Sequence, residues 1–146
     1  MKLSTREIVS IIIWWGEGSK SRKDKRWKNA RSYPVEVTNT NPLIIQTFLD
    51  FLRYDLKVDE SRLRLQLQIH QGDDQEKLET FWGEITMISR EHFNKTIVRP
   101  IGNKIGKSKG TCKIRLTDKS LYEKLELILK QVLDEVNRDP NKLIHL

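Results

Sequence analysis

The sequence predicts an α+β domain, an antiparallel sheet with helices packed on one of its faces. Three observations predict it. Residues 62–70 alternate without a break: Leu63, Leu65, Leu67 and Ile69 lie on one side, Arg62, Arg64, Gln66, Gln68 and His70 on the other. Such alternation marks a strand with one buried and one wet face. Apolar residues recur at helical spacing in the segments around residues 44–52, 78–88 and 121–136. Basic residues gather on the predicted strands and their turns rather than on these helices, so helices on one face would leave a basic sheet face bare.

The first element is a helix over residues 4–16. Ser4 and Glu7 have the spacing of a capping box, in which hydroxyl and carboxylate each accept from the other's orphan backbone amide. From Ile8 the helix is apolar almost all round. A helix without a polar face must be covered on most sides, and in so small a domain that predicts a subunit interface. It ends in Gly16-Glu17-Gly18.

Residues 19–32 carry Lys20, Arg22, Lys23, Lys25, Arg26, Lys28 and Arg31 against one acid, Asp24, and read as a mobile loop or a strand with a wide turn. Tyr33, Val35 and Val37 then alternate as a strand, with Pro34 at its start. Asn39 to Asn41 is a turn, and Asn41-Pro42 reads as N-cap and first helical residue of a helix reaching Tyr54. After the strand 62–70, Gly72-Asp73-Asp74 breaks the chain and caps a third helix, with a short helical turn at residues 89–93. From His92 to Thr117 there is no acid, but Lys95, Arg99, Lys104, Lys107, Lys109, Lys113 and Arg115 are all present. Strands over residues 96–100 and 111–116 around a Gly- and Lys-rich turn read as a hairpin with a basic wet face and tip. Cys112, Ile114 and Leu116 point inward. The last helix covers residues 120–137, stopped by Asp139-Pro140. The reading is one domain over 1–146, with 138–146 as a C-terminal tail.

Composition narrows the function classes. The formal charge is +7 and the isoelectric point about 9.6, a balance that favours a polyanionic partner, nucleic acid before anionic membrane. The single Cys112 excludes an internal disulfide and a Cys-based zinc site. His70, His92 and His145 share no ligand spacing. No Ser-His-Asp or Cys-His set is suggested, and residues 102–107 have the wrong spacing for a phosphate-binding P-loop. No signal peptide, membrane span or basic amphipathic helix is visible. The expectation is a cytoplasmic protein without a membrane partner, associated with the nucleoid where it binds DNA. Arg62, Arg64, Gln66 and Gln68 are candidate base readers. The basic residues of 20–31 and 95–115 are candidate backbone binders.

Glu17 is the remaining chemical feature. An acid at a helix C-terminus sits in unfavourable dipole potential unless a cation compensates, and a divalent metal shared with phosphate oxygens would do so. One carboxylate is too few for a hydrolytic metal site; pairing of the first helix about a two-fold axis would bring two together.

An apolar helix ending in Gly16-Glu17-Gly18-Ser19 resembles the LAGLIDADG motif of homing endonucleases, whose helix commonly ends in Gly-Asp-Gly-Ser or Ala-Asp-Gly-Ser. The order of helix, two basic strands, helix, strands and helix is similar as well, over about residues 4–136. The resemblance implies a homodimer paired through the helix 4–16, with Ile8, Ile12, Trp15 and Gly16 at the interface. It also implies a saddle-shaped antiparallel sheet in the DNA major groove and a shared Mg²⁺, or another divalent cation, held by Glu17 of each chain. The expected activity is sequence-specific, metal-dependent cleavage of double-stranded DNA, with Glu17 catalytic and metal-binding and with Glu36, Lys113 and Arg115 assisting near the scissile phosphate. The alternative is a non-catalytic nucleic-acid-binding regulator on the same fold, with RNA as the other polyanion. Three departures stand out: Trp15 where the family has its first Asp, Ile12 where it has a helix Gly, and the added third helix.

Overall fold

The computed structural model describes residues 2–17, 22–23, 31–100 and 109–138. Four helices and a four-stranded mixed sheet make up an α+β fold. In order they are α1 (Thr5–Glu17), β1 (Arg22–Lys23), β2 (Arg31–Ser32), β3 (Pro34–Asn39), α2 (Pro42–Asp50), β4 (Arg64–His70), α3 (Gln75–Thr86), β5 (Ile97–Arg99), β6 (Thr111–Thr117) and α4 (Lys119–Arg138). A π-helical turn, Phe51–Asp55, extends α2, and 3-10 turns occupy Glu60–Arg62 and Arg90–His92.

Local chemistry sets the helix starts. Ser4 N–H donates to Glu7 Oε1 at 2.9 Å and Glu7 N–H to Ser4 Oγ at 3.1 Å, closing the capping box. Asn41 Oδ1 accepts from Leu43 N–H with Pro42 in the first turn, and Asp74 Oδ1 accepts from Lys77 N–H. Both satisfy amides that the helix itself leaves orphaned. Helix α3 ends at Thr86, earlier than its apolar stripe suggests, because Met87 takes a left-handed conformation with φ 59° and terminates the helix there.

The strand order is β3–β6–β4–β5, with β3–β6 and β6–β4 antiparallel and β4–β5 parallel. This corrects the all-antiparallel expectation and the expected β5–β6 hairpin. The physical reason is α3: it carries the chain from the end of β4 back to its start, as a parallel pair requires, and β6 then inserts between β3 and β4. The short strands β1 and β2 form a separate antiparallel ladder, with Arg22 opposite Ser32 and Lys23 opposite Arg31.

One face of the sheet carries the core. Val35 and Val37, Leu65, Leu67 and Ile69, and Cys112, Ile114 and Leu116 are all buried. Against them pack Ile11 and Trp14 of α1, Ile45, Phe48 and Leu49 of α2, and Tyr122, Leu125 and Ile128 of α4. Helices α1, α2 and α4 all contact β3, and α3 packs beside α2. Burial pushes the Cys112 thiol up, out of its reactive range. None of the helices among the described residues is long and apolar enough to cross a membrane.

Candidate nucleic-acid interface and the Glu17 carboxylate

The pleat turns the other residues of β3, β6, β4 and β5 onto the opposite face in four rungs. The pairing sets Glu36 beside Arg115 beside Arg64, then Thr38 beside Lys113 beside Gln66. Thr111 beside Gln68 beside Ile97, and His70 beside Arg99, follow. A shallow cleft of about 40 Å³ between Thr38, Gln66, Gln68, Thr111 and Lys113 marks the middle. Arg64, Lys113, Arg115 and Arg99 thus stand on this face with one carboxylate, Glu36.

The predicted readers are not equivalent. The strand expected from Arg62 starts two residues later, and Arg62 lies in the preceding 3-10 turn. Its guanidinium donates to Asp118 Oδ2 at 2.7 Å and Thr117 O at 2.5 Å, tying that turn to the β6–α4 corner. Arg64 donates to Ser61 O and Leu63 O, at 2.6 and 2.9 Å. Gln66 donates to Lys95 O at 2.9 Å. Gln68 and Lys113 make no side-chain hydrogen bond among the described residues. Arg115 Nε lies 3.4 Å from Glu36 Oε2; the arginine is half exposed and the carboxylate buried. Lys109 caps the ring of Phe81, its ammonium 5.0 Å from the centroid. Arg22, Lys23 and Arg31 lie on the β1–β2 ladder. Lys20, Lys25, Arg26, Lys28, Lys104 and Lys107 lie outside the described residues, as do Gly18 and Ser19 of the motif and the tail 139–146.

Glu17 is the last residue of α1 and is exposed. No basic residue lies in the last turn of the helix. The amide of Asn39, at the end of β3, meets the carboxylate instead: Nδ2 is 2.7 Å from each oxygen. Asn39 Oδ1 in turn accepts from Asn41 N–H at 2.7 Å, which fixes which end of the amide faces Glu17. Asn39 is the site residue that the sequence hid. It reads as turn-forming, and nothing in its neighbourhood points to a carboxylate 22 positions away.

The face of α1 turned away from the core is apolar. Ile8, Val9, Ile12 and Trp15 are each more than 40% exposed, and the position of a Cβ on Gly16 meets nothing within 4 Å. Grooves of about 580 and 350 Å³ between α1 and α4 flank this stripe, one by Ile8, Val132 and Val136, the other by Trp15, Leu129 and Leu133.

Among the described residues no group of three or more His, Cys, Asp and Glu comes together to hold a metal. Glu17 offers carboxylate oxygens to a hard cation, whereas the Asn39 amide turns its nitrogen toward them and its oxygen to Asn41 N–H, so it adds no ligand. The chain supplies only part of the oxygens such an ion takes. Water, phosphate oxygens or a second chain would have to supply the rest.

No protein-family model, curated protein or solved structure matches this chain.

Proposed function

We propose that the chain is a DNA-binding protein of the LAGLIDADG homing endonuclease type, a homodimer paired through α1 that cuts double-stranded DNA with a divalent cation. The observation that carries this reading is the exposed apolar stripe of α1 running down to Gly16 beside the Glu17 carboxylate. Water-exposed apolar surface of this kind calls for a protein partner, and a second copy brings a second Glu17. The bare, basic face of the sheet supports a polyanion at the other surface, with Gln68 the side chain most available to base edges and Lys113 to phosphate. The saddle shape belongs to the same reading and is supported by helices confined to one face. A cytoplasmic, nucleoid-associated location belongs to the same reading.

When bound between two Glu17 carboxylates and phosphate oxygens, Mg²⁺ would supply Lewis-acid activation of the phosphodiester and of a water. The chain's own contribution is to hold the carboxylate at the helix end, pair the helices and grip the backbone with Arg and Lys.

A second reading, a non-catalytic binder on the same surface, is favoured by Ile12 and Trp15, bulky side chains on the face through which the helices would pair. The test is Mg²⁺-dependent cleavage of a randomised double-stranded DNA library by wild type and Glu17→Gln, with mass measured in solution. The endonuclease reading expects a dimer whose cutting is lost in the variant while binding persists. Binding by wild type without any cutting establishes the second reading. A pure monomer on DNA sinks the paired site.

A further inference from the structure

We propose that residues 143–146, Leu-Ile-His-Leu, dock back onto their own chain, in the groove between the start of α1 and the end of α4.

The groove holds about 580 Å³ and its walls are mostly apolar, with Leu3 and Ile8 on the α1 side and Val132 and Val136 on the α4 side. Ile8 and Val136 are 41% and 56% exposed, so the described residues leave this surface uncovered. The α4 wall also carries Gln131. Its Oε1 is buried and meets no hydrogen-bond donor among the described residues. A buried acceptor without a donor is costly. An occupant that suits this lining brings apolar side chains and at least one N–H.

Those two demands choose among the occupants. A lipid chain brings no N–H. The α1 stripe of a second copy presents Ile8, Val9 and Ile12, and the amides of a helix interior are spent within the helix. An extended peptide brings both, because its backbone N–H groups still need acceptors.

One such segment is tethered at the rim. Helix α4 is described to Arg138, two residues past Val136, a rise of about 3 Å. Asp139-Pro140-Asn141-Lys142 has Asp and Pro in the first two positions of a type I turn, and Pro140 cannot continue the helix. The chain can therefore reverse there. The wall from Gln131 to Val136 is about 8 Å long, and four extended residues reach about 13 Å. Leu143, Ile144 and Leu146 come directly after the turn sequence. Docked in this way, the segment covers the Ile8 end of the α1 stripe and leaves Ile12, Trp15 and Gly16 to a second copy. It does not depend on what the sheet binds.

Methyl NOE spectroscopy and amide hydrogen exchange on the full chain test the docking. The expected contacts run from the methyls of Leu143, Ile144 and Leu146 to those of Leu3, Ile8 and Val132. They persist when isotope-labelled chain is diluted with unlabelled chain. Amides of residues 143–146 should exchange at least about tenfold more slowly than in a free peptide, as they would not at a fraying end. Leu143→Asp with Ile144→Asp should remove both signals. Val136→Asp, at an exposed position, should weaken them with the fold intact. Gln131→Leu takes away the acceptor and should lower protection about two- to tenfold.

Absence of these contacts, or exchange as fast as in a free peptide, would overturn the inference. So would contacts seen only between labelled and unlabelled chains. Protection unchanged by both Val136→Asp and Gln131→Leu would place the segment elsewhere and refute the docking. Groove methyls that shift on dilution, unaffected by Leu143→Asp with Ile144→Asp, would give the groove to a second copy. An added mass on the purified chain in native mass spectrometry, lost on delipidation together with the change at the groove methyls, would give it to a lipid.

Discussion

Two exposed surfaces of this molecule meet the same solvent with opposite chemistry. The outer side of α1 shows Ile8, Val9, Ile12 and Trp15, side chains with nothing to offer a polyanion. The outer side of the sheet shows Arg, Lys, Gln and Thr, and several of these are already satisfied within the chain: Arg64 by backbone carbonyls, Gln66 by Lys95, Arg115 by Glu36. An apolar stripe gains from excluding water and suits another protein surface. A polar, cationic face gains by releasing counterions and suits nucleic acid. Burial separates the two as well. Strand β4 alternates buried and half-buried at every residue, whereas α1 buries only Ser10, Ile11 and Trp14. Both surfaces are thus left open, the helix to an apolar partner and the wet side of the sheet to a charged one.

The largest effect should come from breaking the stripe and leaving the sheet alone. Ile12→Glu places a charge at the centre of the exposed apolar face. A position 42% exposed costs the monomer little, within about 0.5 kcal/mol. Pairing should be lost in sedimentation velocity, and DNA affinity should fall by about 100-fold or more because one protomer no longer carries the other to its half-site. A dimer that survives Ile12→Glu removes α1 from the interface.

Substitutions on the sheet should act on affinity and leave mass untouched. Lys113→Ala is expected to lower the slope of log affinity against log salt by about one per protomer, as loss of a phosphate contact does; an unchanged slope would take Lys113 off the phosphate backbone. Glu36→Gln works in the other direction. It removes the one carboxylate on the four described rungs and releases Arg115, so affinity at low salt should rise about three- to tenfold, by the electrostatics of a phosphate-facing surface. Titrations at about 50 and 200 mM salt, the range over which phosphate contacts weaken steeply, check the sign.

How much of this is legible in the sequence differs between the two surfaces. Strand β4 announces itself, because a period of two with one apolar side fits a half-buried strand and no helix. So do the capping box at Ser4 and Glu7 and the Asn41-Pro42 helix start, which are contacts within a few residues. The partner of β5 is not legible: whether residues 97–99 pair with β4 or β6 depends on where α3 returns the chain, and periodicity is silent on that. Arg62 misleads because the alternating pattern runs two residues past the start of the strand into a 3-10 turn, where Asp118 takes the guanidinium. Asn39 is invisible for the same reason as β5, since its contact with Glu17 bridges two elements. The apolar run of α1 is legible as apolar, but which side of it stays open is not.

The smallest effect concerns how α1 is bolted to α2. Arg6 Nε and Nη2 donate to Asp55 at 2.7 and 3.0 Å, joining the first turn of α1 to the π-helical turn after α2. The Arg6 hydrogen bond, and then its charge, hold the Asp55 carboxyl below its usual value against an opposing burial penalty. The folded chain therefore keeps this proton off more readily than the unfolded chain does. Its contribution to stability is full above the unfolded value of about 3.9 and is lost as pH falls through the lower folded value. Asp55→Asn should lower the urea midpoint at about pH 7 slightly, and the difference from wild type should close below about pH 4. The pair is solvent-facing, so added salt should shrink the difference at neutral pH. Since the bolt sits at the opposite end of α1 from Glu17, dimer mass should not change with it. A variant that dissociates the dimer at neutral pH would mean that the angle of α1, and not only its stripe, sets the pairing.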